Sequence, residues 1–533
     1  MTRTRLNYLA VGLLAVVLTH LSATSLSAGF RVKPYLLRPE PAAVTVVWFS
    51  NNNQPGTLTV ESDGQLREYR STPILADTLA YHPLELEKLP DHTASNAPYK
   101  HTIHVTGLTA LNPAMYTVEQ GGHVFQSSLA PAPTIDAPVR FVVFADCETE
   151  PESTGKHTNW PEPDGDMDRV YVADQTEGFK QNLKVIQQRK PDFLAFAGDL
   201  AESGGEQRDW DEFWRHLNGD YGSLAGSTPI VAAPGNHDGY GGPGDLGRFG
   251  ADGHRRADEK FRAYFQAQPN DHNPPQGYHR LDFGPITLIS IDSTNGLPDD
   301  TEHDTNWHLT ARDHGHDFNP GSDQYRWLEK QLADAQQRSR FTFVQFHHVP
   351  YSVGPHGFPA GDEGHDHGQD KQSGVPMQVL TDLFVRYGVD AVFAGHDEMY
   401  EHSVITGGEE TLPGNESRTR PHDLHVLDIG IAGDGLRGPF FGPGGRHESE
   451  IGNEHQVFLA HHDAPEVWDG KRLISGGKHY GHLEVNISQS SDGQWQARLT
   501  PVYIFPLMDD HGTITGWERR VYEDEVTLTA AQE

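Results

Sequence analysis

Pro234-Gly235-Asn236-His237-Asp238, taken with Gly198-Asp199 before it and Gly395-His396-Asp397-Glu398 after it, decides the reading of this chain. Each stretch follows a short apolar run, Ile230 to Ala233, Phe193 to Ala197 and Ala391 to Ala394 in turn. Runs of that length bounded by glycine read as buried strands. Each motif therefore sets metal-ligand side chains where a strand ends. A single Gly-Asp or Gly-His dipeptide carries little. Three in this order, with Asp146 ahead of them and His347-His348 between, point to one chemistry.

Outward from these motifs the chain divides. From Phe30 to about Ser128 it reads as short strands such as Val44 to Trp48, Leu58 to Val60 and His101 to Val105, separated by Gly, Asn and Pro. Ala130 to Pro138 is proline-rich and reads as a linker. Beyond it the rhythm changes. Phe141 to Ala145, Ile286 to Ile291 and Phe341 to Phe346 join the apolar runs already quoted. Helices are expected over Asp323–Ala335, Met377–Tyr387 and Asp209–Leu217. Another follows Asp174-x-x-Glu177, with Phe179, Leu183 and Ile186 on one face. Strands apolar on both sides alternating with helices predict a layered α/β core. Leu424–Ile431, Gly481–Ile487 and Trp495–Ile504 read as strands extending that core. The expected organisation is an export signal at 1–28, a β-sandwich at 29–129, a linker at 130–138 and a catalytic domain at 139–533.

Composition narrows the function. The chain has 533 residues, with 75 acidic against 41 basic side chains and a net charge of -34. Such a surface repels polyanions, which argues against general nucleic-acid binding. Arg3 and Arg5 precede the apolar run Leu9 to Leu18 and small residues up to Ala28, the pattern of a cleaved export signal. No later segment is long and apolar enough to span a bilayer, so a periplasmic or secreted protein is expected. The single cysteine, Cys147, excludes an internal disulfide and reads as a small buried hydrophobe.

Hydrolysing a phosphate ester requires neutralised phosphoryl oxygens and a strong nucleophile near neutral pH. Two metal ions about 3.5–4 Å apart supply both. The chain collects a set of ligands for such a pair at its strand ends. They are Asp146 and Glu148, then Asp199, then Asn236 and His237, then His347 and His348, then His396 and Glu398. Ligands at the ends of adjacent strands converge at one sheet edge, where α/β folds bind ligands.

The order Asp, Gly-Asp, Gly-Asn-His-Asp, His and Gly-His resembles the calcineurin-like metallophosphoesterase superfamily. The sandwich in front resembles a fibronectin type III domain, down to a tyrosine-corner pattern at Leu108 and Tyr116. Together with His347-His-Val-Pro-Tyr351 and Gly395 to Glu401, it is most similar to the purple acid phosphatase branch. The resemblance implies two β-sheets flanked by helices, with a dimetal site between sheet edges and a small-molecule phosphate ester as substrate. It implies that Asp199 bridges the metals, that Asn236, His347 and His396 complete one site, and that Asp146 belongs to the other. His237 would stabilise developing charge. His356, nine residues after His347, would contact the phosphate or protonate the leaving group. A metal-bound hydroxide would attack phosphorus in line, on a monoester or a diester.

Two departures from the family pattern concern the other metal. Its chromophoric tyrosine is Glu202 here, so no purple charge-transfer band is expected. Its closing Gly-His-x-His is Gly395-His-Asp-Glu398, and the first motif is Asp146-Cys-Glu148. That site becomes rich in oxygen, with Glu398 and either Glu148 or Glu202 as ligands beside Asp146 and Asp199. Mn²⁺, Mg²⁺ or Ca²⁺ suit it, whereas Zn²⁺, Mn²⁺ or Fe²⁺ suit the Asn/His site. The added negative charge predicts a neutral or alkaline optimum. Arg437, in the glycine-rich Gly430–Gly438, is a candidate phosphate contact, and Gly354–Gly374, with His356, His365 and His367, is expected to overhang the site. The rival reading is a secreted binding protein whose divergent core keeps metals for structure alone.

Overall fold

The computed structural model describes residues 29–87, 97–109, 113–159, 169–242, 247–266, 272–274, 277–298, 305, 316–354, 356, 374–411, 419–437 and 453–530. The export signal, His365 and His367 lie outside them. In chain order the N-terminal strands are β1 Phe30–Glu40, β2 Ala43–Ser50, β3 Thr57–Ser62, β4 Gln65–Arg70, β5 Ile74–Leu75, β6 Tyr99–Thr106, β7 Ala114–Gln120 and β8 His123–Leu129. They form a sandwich of β5-β6-β2-β1 on β4-β3-β7-β8. Trp48, Leu58, Val60, Val105, Tyr116 and Val118 fill it.

The following strands are β9 Val139–Phe144, β10 Phe193–Ala197, β11 Ile230–Ala233, β12 His279–Phe283, β13 Ile286–Ser290, β14 Phe341–His348, β15 Ala391–Gly395, β16 Tyr400–Thr411, β17 Thr419–Ile429 and β18 Gln456–Leu459. After the small hairpin β19 Val467–Asp469 and β20 Arg472–Ser475 come β21 Gly481–Gln489, β22 Trp495–Met508, β23 Ile514–Val521 and β24 Val526–Thr529. Two sheets face each other. One runs β23-β22-β21-β9-β10-β11 and the other β12-β13-β14-β15-β17-β16-β18. Phe141, Phe193, Phe283, Phe343 and Phe393 pack between them. Helices Gln175–Arg189, Gln207–Asn218 and Ala251–Phe265 cover the first sheet, and Asp323–Arg338 with Thr381–Arg386 the second. This is the layered arrangement that the apolar strands predict.

The sandwich does not stand apart. Leu37 of β1 pairs in parallel with Ile230 of β11, so one sandwich sheet and the first catalytic sheet, with β24 paired to β22, become a single sheet of eleven strands. Val44, Val46 and Trp48 of β2 face the sandwich core, while Val47 and Phe49 face the helices of the catalytic domain. Both faces are covered, which is why that stretch lacks alternation. Glu85 Oε1 accepts from the backbone N–H groups of Gln207 (2.6 Å) and Arg208 (3.1 Å), capping a catalytic-domain helix from outside. The Tyr116 hydroxyl departs from the tyrosine-corner expectation. It donates to the Gly226 carbonyl at 2.6 Å, reaching into the catalytic domain instead of back to its own upstream chain.

Local expectations fare variously. Asp174 accepts from Glu177 N–H at 2.8 Å and caps its helix as the sequence suggests. The helix placed over Met377–Tyr387 is a 3₁₀ turn, Val375–Leu380, followed by α-helix over Thr381–Arg386 only. Pro376 in its first turn fixes the local φ but offers no N–H for a ladder. The helix Ala251–Phe265 is one that apolar periodicity does not announce. Its apolar face is only Ala257, Phe261 and Tyr264 among charged residues, with Lys260 buried beside them.

Candidate metal centre

The candidate residues meet at the C-terminal ends of β9, β10, β11, β14 and β15, where neighbouring parallel strands deliver loops to one edge. Asp146 and Glu148 follow β9, Asp199 follows β10, Asn236 and His237 follow β11, His347 lies near the end of β14, and His396 and Glu398 follow β15. All of these are buried, Asp146, Asn236 and His347 completely. Asp146, Glu148, Asp199, His396 and Glu398 each have positive φ, between 34° and 84°. Five non-glycine residues in that region at one site mark stored backbone strain held by the surroundings. Glycine is obligatory beside them. A β-carbon on Gly235 would fall 2.1 Å from Asp199 Oδ1, and one on Gly395 would fall 2.1 Å from Asp146 Oδ2.

Potential ligand atoms fall into overlapping groups, each within 4.8 Å: Asp199, His347 and His396; Asp146, Glu148 and Asp199; Glu148, Glu202 and His237; Glu148, Glu398 and Asp434. Asp199 is common to the first two. Of the histidine pair, His347 Nε2 lies 2.9 Å from Asp199 Oδ2, and His348 Nδ1 is hydrogen-bonded to Ser293 Oγ at 2.7 Å. Asn236 donates through Nδ2 to Tyr240 OH at 2.8 Å, while its buried Oδ1 has no hydrogen-bond partner. The same is true of Glu398 Oε2. Asp238 braces the motif: its carboxylate accepts from Leu200, Ala201 and Gly235 N–H groups.

Electrostatics divides the site. Burial raises Asp146 to about 7 and Glu398 to about 8, despite His347 and Arg437 respectively. Burial with Asp434 and Glu398 nearby pushes Glu148 well up. Asp199 is the exception. Burial works against its ionisation, but His347 and His237 hold it at about 2. Burial opposes charge on His237 too, yet Asp199 and Glu202 lift it to about 10. Its Nδ1 donates to the Glu202 carbonyl at 2.9 Å, which orients the ring. Glu202 Oε2 is 3.5 Å from that nitrogen and Glu148 Oε2 is 3.7 Å from it. His356 is buried with its ring 3.8 Å from that of His396, and its backbone N–H donates to Asp397 Oδ1 at 3.0 Å. Arg437 is 45% exposed and pairs with Glu398 Oε1 at 2.7 Å. Cys147 is buried, and burial raises its thiol well above the usual range, so it is no thiolate.

The donor set suits two cations. Asn236, His347 and His396 offer nitrogen and amide oxygen, Asp146, Glu148 and Glu398 offer carboxylate oxygen, and Asp199 faces both. A buried amide oxygen without a partner and carboxylates that share one small space are the features a bound cation would satisfy. Asp434 is the participant that the motifs do not reveal. Nothing in Gly430–Gly438 marks it beyond an acid among glycines.

Comparison with known proteins agrees with this geometry. Residues 139–399 match the family model described as calcineurin-like phosphoesterase. A probable inactive purple acid phosphatase of Arabidopsis thaliana is 22% identical over 356 residues, covering 62% of this chain and 49% of the relative. An uncharacterized Mycobacterium tuberculosis protein is 25% identical over 311 residues, covering 56% of this chain and 50% of its own length. The chain thus spans about half the length of the curated relatives it matches. The structure of a purple acid phosphatase from yellow lupin (Lupinus luteus) seeds superposes with a TM-score of 0.59 at 16% identity, over 93% of this chain and 74% of that one. Among the described residues no helix is long and apolar enough to cross a membrane.

Proposed function

Residues 139–399 match the calcineurin-like phosphoesterase family, and from that premise we propose that the chain is a purple acid phosphatase-like member that hydrolyses phosphate esters at a two-cation site. The observation that carries the proposal is Asp199, a buried carboxylate kept acidic by His347 and His237 and set against His347 on one side and Asp146 with Glu148 on the other. Asn236, His347 and His396 would hold one ion, Asp146, Glu148 and Glu398 the other, with Asp199 between. When bound, such a pair neutralises phosphoryl oxygens and lowers the pKa of coordinated water.

The chain's own groups supply the rest. Asp199 and Glu202 favour the protonated form of His237, which would meet a phosphoryl oxygen as a charged donor. Its Nδ1 is committed to Glu202, which leaves Nε2 for substrate. His356, packed against His396 and tied to Asp397 through its backbone, is placed to give the leaving group its proton. Arg437, partly exposed beside Glu398, would offer its guanidinium to a second phosphate oxygen. A monoester is the substrate class that the branch resemblance implies, and the export signal read in residues 1–28 supports a reaction outside the cytoplasm.

The test is elemental analysis of the purified protein together with hydrolysis of an aryl phosphate, before and after Asn236→Ala. Expected are about two metal ions per wild-type chain and a loss of at least about a hundredfold in kcat/KM in the variant. Bound metal with no turnover of mono- or diesters across about pH 5–10 would sink this reading. It would favour a metal-retaining binding protein, the reading to which Glu398 and its Arg437 partner lend support.

A further inference from the structure

Beyond β17 the chain enters Gly430-Ile-Ala-Gly-Asp-Gly-Leu-Arg437, a turn laid directly on the oxygen-rich half of the site. Ala432 N–H donates to the Ala145 carbonyl at 3.1 Å, and Gly433 and Asp434 N–H groups donate to the Asp146 carbonyl at 3.1 and 3.0 Å. The glycines permit that approach. A β-carbon on Gly430 would lie 2.7 Å from Glu398 N, and one on Gly435 would lie 1.2 Å from Glu398 Oε2. Gly435 also has φ +61°, which only glycine adopts cheaply. The turn is therefore shaped to hold the Glu398 carboxylate against it and to bring Asp434 inside, 5% exposed.

Ligand oxygens of Glu148, Glu398 and Asp434 come within 4.8 Å of one another. Two buried atoms there, Glu398 Oε2 and Asp434 Oδ1, have no hydrogen-bond partner. Compensation by the protein is partial. Arg437 takes Glu398 Oε1 at 2.7 Å, and Lys156 Nζ stays 3.8 Å from Asp434 Oδ1.

We propose that Glu148, Glu398 and Asp434 bind a hard divalent cation of the Ca²⁺, Mg²⁺ or Mn²⁺ class, with Asp434 as a ligand that no motif of the chain marks. Three carboxylates without nitrogen or sulfur select oxygen-seeking ions, whereas His347 and His396 select imidazole-seeking ones. The two halves then hold chemically different ions. This inference rests on the two-cation reading above, but its test reads binding and not turnover.

The full chain is stripped with a chelator, saturated with Zn²⁺, and dialysed against Ca²⁺, Mg²⁺ and Mn²⁺ in turn, with elemental analysis of each fraction. Wild type takes up one further ion beside zinc. Asp434→Asn weakens that uptake by about a hundredfold while zinc content stays constant, and Asn236→Ala does the reverse. Arg437→Ala removes the internal counter-cation of Glu398 and tightens hard-ion binding by about tenfold. This arm stays informative should Asp434→Asn fail to fold, which circular dichroism reports. Unchanged uptake in Asp434→Asn, no further ion in wild type, or weaker binding in Arg437→Ala overturns the proposal. Absence of phosphatase activity leaves it standing. Loss of the hard ion from Asn236→Ala as readily as zinc overturns it while leaving the phosphoesterase reading intact.

Discussion

The two halves of the metal centre share Asp199 and little else. On one side, imidazoles from β14 and β15 and the Asn236 amide converge on a carboxylate that is ionised at any moderate pH. On the other, Asp146, Glu148, Glu398 and Asp434 crowd together, and burial raises every one of them. In the first half His347 Nε2 faces Asp199 Oδ2 at 2.9 Å, and the buried Asn236 Oδ1 is left without a hydrogen-bond partner. The second half is held by strained backbone and by glycines that admit carboxylates where a side chain would collide. Replacing one imidazole by Glu398 thus changes more than one ligand. It adds a carboxylate to a side that already gathers Asp146, Glu148 and Asp434.

That contrast can be broken outright or refined. The largest effect is expected at the residue the halves share. Asp199→Ala should remove both ions and lower kcat/KM on an aryl phosphate by about a thousandfold or more. Retention of one full equivalent of each ion would show that the halves do not share it. An intermediate effect is expected from Glu398→His, which restores the family's imidazole. Zinc should then compete for the oxygen-rich side, and the pH optimum should move toward acid by about one unit, because the coordinated water loses a carboxylate neighbour. An unchanged metal preference would mean that Glu398 does not set the difference between the halves.

The smallest effect on the site separates it from its scaffold. Burial lowers His216 to about 3 and His479 to about 4. His479 is fixed as the neutral form: Tyr171 OH donates to its Nδ1 and its Nε2 donates to the Gly476 carbonyl. As pH falls from about 6.5 toward 4, the unfolded chain takes up protons that the native one refuses, so native stability falls, on the order of a few kcal/mol in all. Thermal denaturation should show His216→Gln losing less stability than wild type over that window. Equal slopes would mean that the acid sensitivity does not come from this buried histidine.

The gathering of Asp146, Asp199, Asn236, His347 and His396 at one edge was legible because each sits one to three residues from a buried strand's end, and apolar strands bounded by glycine announce themselves. The choice of His347 over His348 was readable only by spacing against a family pattern, and the structure places His347 beside Asp199 and His348 on Ser293. Asp434 was not legible. Its loop looks like any glycine-rich turn until its hydrogen bonds to Asp146 are seen. The helix Ala251–Phe265 was missed because its buried face includes Lys260, and charge there masks the apolar period. The Tyr116 hydroxyl illustrates the same limit. Its position near a turn suggested a contact inside the sandwich, and only assembly shows it donating to Gly226.

By itself the sequence determined the layered fold, the order of strands that lead to the candidate site, and most of the residues that gather there. Hydrophobic period and strand-end chemistry are local properties, written in consecutive residues. Tertiary structure decided which carboxylates become neighbours, which glycines make room for them, and how the sandwich caps the helix at Gln207 through Glu85. Those outcomes depend on contacts between segments up to hundreds of residues apart, such as Asp146 with His396 and Glu398 with the turn at Gly435. The charge of a buried cluster is set by every group that burial brings together, and no stretch of chain contains that sum.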